Sequence, residues 1–236
     1  MENEYLLNNE RRLTIKKTFS LKDRLVDKKW PEVFTQDTKR SAPFTHTIKF
    51  DAQAFDKSYP GHYLRQLKYV SVTLELKSNV NLDELCATLT QKGSTTLLEA
   101  NADAAGSLYP ANADTPADNI TKREKAGKDP KCVLRNPSVN QQIALSSTVA
   151  DDGLGYEPGT WVYELMFHDG RYLPFEGTGA ISEWELEILG SETLLKDLSV
   201  IEDIKFNMVY TAKAGDADFR KHINELVNPT TTSKKT

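Results

Sequence analysis

The chain contains no run of about 18 apolar residues, so nothing in it reads as a membrane-spanning helix. Residues 1–12 are polar and lack the apolar centre of a signal peptide, so secretion would need some other export route. Cysteine is scarce. Cys86 and Cys132 flank a long polar stretch and form neither a CxxC pair nor a ligand-spaced cluster, which argues against zinc and redox chemistry. Two free thiols are the simple reading; a disulfide stays open, because it depends on a Cα separation that sequence does not give. A dominant charge is lacking too: 30 basic and 34 acidic residues are interspersed and leave a net charge of -4. No strong attraction to phosphate backbones or anionic lipid follows, and nucleic acid is not an expected partner.

Catalytic signatures are equally sparse. His46, His62, His168 and His222 are scattered, with no pair at the spacing of a helical metal site. No GxSxG elbow, phosphate-binding glycine loop or dinucleotide fingerprint occurs. His168 to Arg171 reads as a hairpin turn, since Asp169-Gly170 suits the positive φ of tight hairpins. Asp151-Asp152 and the acidic stretch 114–118 lack a calcium-loop pattern and read as solvated loops. Glu183, Glu185 and Glu187 read as the wet side of a strand rather than as glycosidase carboxylates. The sequence therefore predicts no enzyme, no metal and no cofactor.

What is present is alternation. A hydrophobic content of 39% and a mean hydropathy of -0.53 suit one large domain carrying a polar insertion. Strands are predicted at 13–21, 44–50, 67–76, 85–90, 142–146, 161–167, 180–189 and 204–211. In 70–76 the strict alternation places Val70, Val72, Leu74 and Leu76 on one face of a half-buried antiparallel strand. Ile181, Trp184, Leu186 and Ile188 largely repeat the pattern, as do Ile204, Phe206, Met208 and Tyr210. Such strands stack as an antiparallel β-sandwich, jelly-roll or Ig-like, with short flanking helices. Ser20 is the predicted cap of a helix reaching Lys29 before Pro31, and Asp216 that of a helix with Phe219, Ile223 and Leu226 at helical spacing. The organisation expected is a polar joint at 1–12, a mostly β domain at 13–213 with a polar loop insertion at 92–137, and a short helix with a frayed tail at 214–236.

Four stretches carry a more specific likeness. They are NERRL at 9–13 leading to KTFSL at 17–21; YPGHYLR at 59–65 leading to VSVT at 70–73; QQIALSS at 141–147; and RYLPFEG at 171–177 leading to GAIS at 179–182. In order and spacing, over roughly residues 3 to 213, the chain resembles the C-terminal domain with which A subunits of bacterial Tc insecticidal toxin complexes bind the B subunit. The resemblance implies a non-catalytic docking module, secreted or cell-surface as part of a toxin complex. In that family the A subunit is a homo-pentamer around a translocation channel, and docking lets the B–C cocoon deliver its toxic enzyme. The helices of the channel are absent from this chain, and 92–137 is longer and more polar than the family leads one to expect.

The motifs also have a local physical reading. Pro60 fixes φ and Gly61 permits a positive φ, the chemistry of a type II turn between Tyr59 and His62 that delivers Tyr63 and Leu64 to a strand. Pro174, Phe175 and Gly177 shape a second turn in which Phe175 plugs the sandwich end. These residues are therefore read first as structural, with Arg171, Tyr172 and Glu176 as the candidate partner contacts, since exposed Arg and Tyr are favoured interface anchors. The alternative is a carbohydrate-binding sandwich, resting on fold class and on Trp30, Tyr109 and Trp161 as exposed aromatics.

Overall fold

The computed structural model describes residues 12–24, 44–76, 86–109, 117–137, 141–146, 160–163, 174–189 and 201–228. Within them lie two antiparallel sheets. In one, β1 (Leu13–Ser20) pairs with β9 (Ile201–Ala214), β9 with β3 (His62–Leu76), and β3 with β7 (Thr160–Tyr163). In the other, β2 (Phe44–Phe50) pairs with β8 (Ile181–Leu189) and β8 with β4 (Cys86–Leu97). The far edge of β4 is shared. β6 (Gln141–Ser146) runs along Cys86 to Gln91, and β5 (Val133–Asn136) along Ser94 to Leu97, so the two act as one interrupted strand.

With β5 and β6 counted together, the strand orders 1-9-3-7 and 2-8-4-6 are those of a jelly roll. The Ig-like option is set aside, because an immunoglobulin sandwich keeps its first two strands in one sheet, whereas β1 and β2 lie in different sheets here.

The core follows the alternation. Trp184, Leu186 and Ile188 of β8, and Ile204, Phe206, Met208 and Tyr210 of β9, point inward and are fully buried. The intervening glutamates face outward, where Glu183 pairs with Lys49 at 3.0 Å and Glu185 with Lys92 at 2.8 Å. Aromatic rings join the sheets: Phe19 of β1 lies 4.7 Å from Phe50 of β2, and Phe50 lies 5.5 Å from Phe206. Each such contact adds about 0.5–1.5 kcal/mol beyond the area it buries.

Two expectations need correction. β3 is not half-exposed along 70–73, since Ser71 and Thr73 are 4% and 9% exposed beside the buried Val70 and Val72. Here β3 is paired on both sides, with β9 and β7, and a polar row, Thr18 to Asn207 at 2.7 Å and Asn207 to Thr73 at 3.1 Å, reaches it across β9. The stretch 92–137 is also not simply a loop. It begins inside β4 and holds β5 and two helices, α3 (Ala102–Gly106) and α4 (Ala117–Gly127). Its scattered apolar residues show no period, yet Leu97, Ala104, Ala105, Cys132 and Val133 form a second core with Phe219 and Ile223 of α5 (Ala217–Val227).

Capping follows the predicted chemistry. Asp216 accepts the Phe219 N–H at 2.7 Å, and Ser20 accepts the Asp23 N–H at 3.1 Å to open α1 (Leu21–Arg24). The remainder of that predicted helix, the joint before Arg12, residues 164–167, the hairpin at 168–171 and the tail from 229 lie outside the described residues. No described helix is long and apolar enough to cross a membrane.

Candidate docking site

Described residues from all four sequence stretches meet at one end of the jelly roll. The short helix α2 (Ala52–Asp56) starts there, with Asp51 capping it through the Ala54 N–H at 2.8 Å. The chain then turns through Tyr59, Pro60 and Gly61 into β3. Gly61 has φ +77°, as the turn chemistry requires, and a Cβ there would lie 2.7 Å from the Arg220 backbone of α5. Its carbonyl accepts the Gly215 N–H at 2.9 Å, tying the turn to the end of β9.

Beneath this turn sits a buried charge network. Asp56 accepts from Arg65 at 2.5 Å and, on its other oxygen, from the Tyr109 hydroxyl. Arg65 also donates to the Tyr59 carbonyl at 3.3 Å. Burial, then the negative charge of Asp56, raises the Tyr109 pKa and holds its proton on the phenol. Lys17 of β1 reaches the same place, donating to the Ala54 carbonyl at 2.5 Å and to Ser58 Oγ at 2.7 Å, with Phe19 and Phe55 beside it. Burial, reinforced by Arg65 and Arg24, lowers its pKa to about 8. His62 stacks on Tyr59 at 5.7 Å, and burial followed by repulsion from Arg65 and Arg220 lowers its pKa. Both oxygens of Asp56 are engaged, so the network joins elements and offers no open carboxylate.

The second turn, 174–178, is held from several sides. Leu67 N–H donates to the Thr178 carbonyl at 2.8 Å, Gly177 N–H to the Leu67 carbonyl at 2.9 Å, and Ala180 N–H to the Arg65 carbonyl at 3.1 Å. Gln141 of β6 accepts the Phe175 N–H at 3.1 Å, and Gln91 of β4 donates to Thr178 Oγ1 at 3.2 Å. Phe175 is buried in the larger core, edge-on against Trp184 at 4.7 Å. It takes φ +69°, a conformation that costs a non-glycine residue about 1–3 kcal/mol. Gly177 takes φ +79° without such strain. Arg12 completes the joining of the motifs by donating to Gln66 at 2.7 Å, and Gln66 donates in turn to the Gly177 carbonyl at 3.3 Å.

Of the candidate contacts, Glu176 is exposed at the tip of this turn, whereas Arg171 and Tyr172 lie outside the described residues. Among the structural residues, Tyr59 is 42% exposed, Pro60, His62 and Pro174 are half-buried, and Phe175 is buried. Sequence reasoning passed over Asp56, Gln66 and Gln91, and met Gln141 only as part of a family stretch, yet these residues hold the two turns in place. Gln91 did carry a signal: it shares the inward phase of Ala87 and Leu89 and is fully buried.

The aromatic basis for carbohydrate binding is corrected at Tyr109, which is buried and bonded to Asp56 rather than displayed. Trp30 lies outside the described residues. Cys132 is a buried free thiol whose pKa is raised by burial and by Asp129 and Glu99. Asp118 is exposed on α4, while Asp151 and Asp152 lie outside the described residues. Among the described residues no group of three or more ligand-type side chains could hold a metal.

Known proteins give this end of the molecule its context. Residues 1–212 match the family model described as the Tc toxin complex TcA C-terminal TcB-binding domain. The chain is 32% identical over 229 residues to toxin subunit YenA2 of Yersinia entomophaga, covering 96% of this chain and 14% of that subunit's length. Among solved structures, the cryo-EM structure of Yersinia pseudotuberculosis TcaA–TcaB aligns over 90% of this chain and 10% of that one, at 19% identity and a TM-score of 0.45. Desmodium yellow mottle tymovirus aligns over 89% of this chain and 85% of that one, at 8% identity and a TM-score of 0.29. The family match spans most of the chain, all four motif stretches included, and the chain belongs to the TcB-binding domain family of Tc toxin A subunits, a family of binding rather than catalytic domains.

Proposed function

We propose that this domain docks the A subunit of a Tc toxin to its B subunit. The observation that carries the reading is the meeting of described residues from all four family stretches in one hydrogen-bonded end of the jelly roll. A scaffold held this firmly suits a partner surface, because little ordering entropy is lost when the partner arrives. Five copies, one from each A subunit, ring the channel entrance, and the assembled complex acts outside the cell that makes it. The domain supplies no chemistry to the toxic enzyme that passes through. The carbohydrate alternative is weaker, since Tyr109 faces Asp56 instead of a ligand.

Biolayer interferometry with immobilised B subunit tests the proposal. Saturable binding of the folded chain is expected. Absence of binding at concentrations where an intact A subunit associates would overturn it.

A further inference from the structure

We infer that the turn 174–178 is a preformed contact knuckle, and that Glu176 at its tip receives a lysine or arginine of the B subunit; the inference rests on the docking function above. Phe175 holds φ +69° with its ring buried against Trp184, and this anchor fixes the rest of the turn. Strain of that kind persists only where the surrounding structure over-determines it. Here β3, β4 and β6 all bond to the turn, and Trp184 of β8 packs on its aromatic ring. Phe175 is buried and Pro174 and Thr178 are half-buried, so the turn presents Glu176 and Gly177 to solvent. A Cβ built on Gly177 meets nothing within 4 Å among the described residues.

Charge gives the partner its sign. Glu75, Glu183 and Glu185 each have their own lysine within the chain, at Lys205, Lys49 and Lys92. Among the described residues Glu176 forms no ion pair, nor do Glu187 and Glu202; Glu176 differs in standing at the exposed tip of a turn that three strands hold. A carboxylate at such a tip suits an incoming ammonium or guanidinium, the latter able to make two parallel hydrogen bonds. Gln66, bridging Arg12 and the Gly177 carbonyl, continues a polar rim around the tip.

The test compares the full chain with Glu176→Gln and Glu176→Lys for binding to purified B subunit at low and moderate salt, alongside thermal melts. An affinity loss of about tenfold for Glu176→Gln and more for Glu176→Lys, with unchanged melting and a flatter salt dependence, is expected for a charged contact. Wild-type binding that both variants match would overturn this inference and leave the docking function standing. Failure of the wild type to bind would overturn both.

Discussion

Lys17 gives the docking end a pH signature at the scale of one residue. Its ammonium gives up its proton near pH 8 in the folded chain but near 10.5 when unfolded, chiefly because folding buries it. Between those values the unfolded state holds more protons than the folded one, so this group makes stability rise with pH across that window. Below it both states are charged and the cost of burial is fully present. Lys17→Met removes the effect. In urea melts the wild type is therefore expected to gain stability relative to the variant between about pH 7 and about pH 10. A relative loss over that interval would contradict the assignment. Residue type alone made part of this end legible, since Pro60-Gly61 announces a turn and Gly61 does take the positive φ. The positive φ of Phe175 was not legible, because its cause is Trp184 and Gln141, which the sequence does not show to be neighbours.

At the scale of elements, strands could be read because alternation is a local signal: β2 spans Phe44–Phe50 and β8 Ile181–Leu189, close to the predicted limits. β5 is four residues long with only Val133 buried, too short to show a period. The link among α2, β3 and the segment after α3 was also hidden, since Tyr109 is 53 residues from Asp56 and charged residues such as Asp56 and Arg65 carry no local sign of burial. That link should be costly to break. Asp56→Ala leaves the Arg65 charge buried without its anion and the Tyr109 hydroxyl without its acceptor. The expected destabilisation is about 3–5 kcal/mol, read from urea denaturation. A loss below about 1 kcal/mol would mean that water screens the pair as at an open surface.

At the scale of the whole molecule, the described residues form two cores of unequal size. The larger fills the jelly roll, while the smaller joins α5 to residues 97–133. This explains why 92–137 looked like a loop: its buried residues find their partners, Phe219 and Ile223, between 86 and 126 residues further along the chain. It also assigns α5, which lies beyond the family match at 1–212, the task of holding the helical excursion against the docking end. Gly61 packs on the α5 backbone at Arg220, and Tyr109, at the end of the segment following α3, reaches Asp56, so the smaller core braces the 59–62 turn from two directions. Ile223→Ala should open the smaller core at a local cost of about 2–5 kcal/mol. Because stability is distributed in cooperative units, the damage should stay regional. Hydrogen exchange is expected to speed up in α3, α4 and α5, including the Leu98 amide bonded to the Cys132 carbonyl at 2.7 Å, while amides of central β9 keep their protection. Equal acceleration in β9 would show instead that the two cores unfold as one.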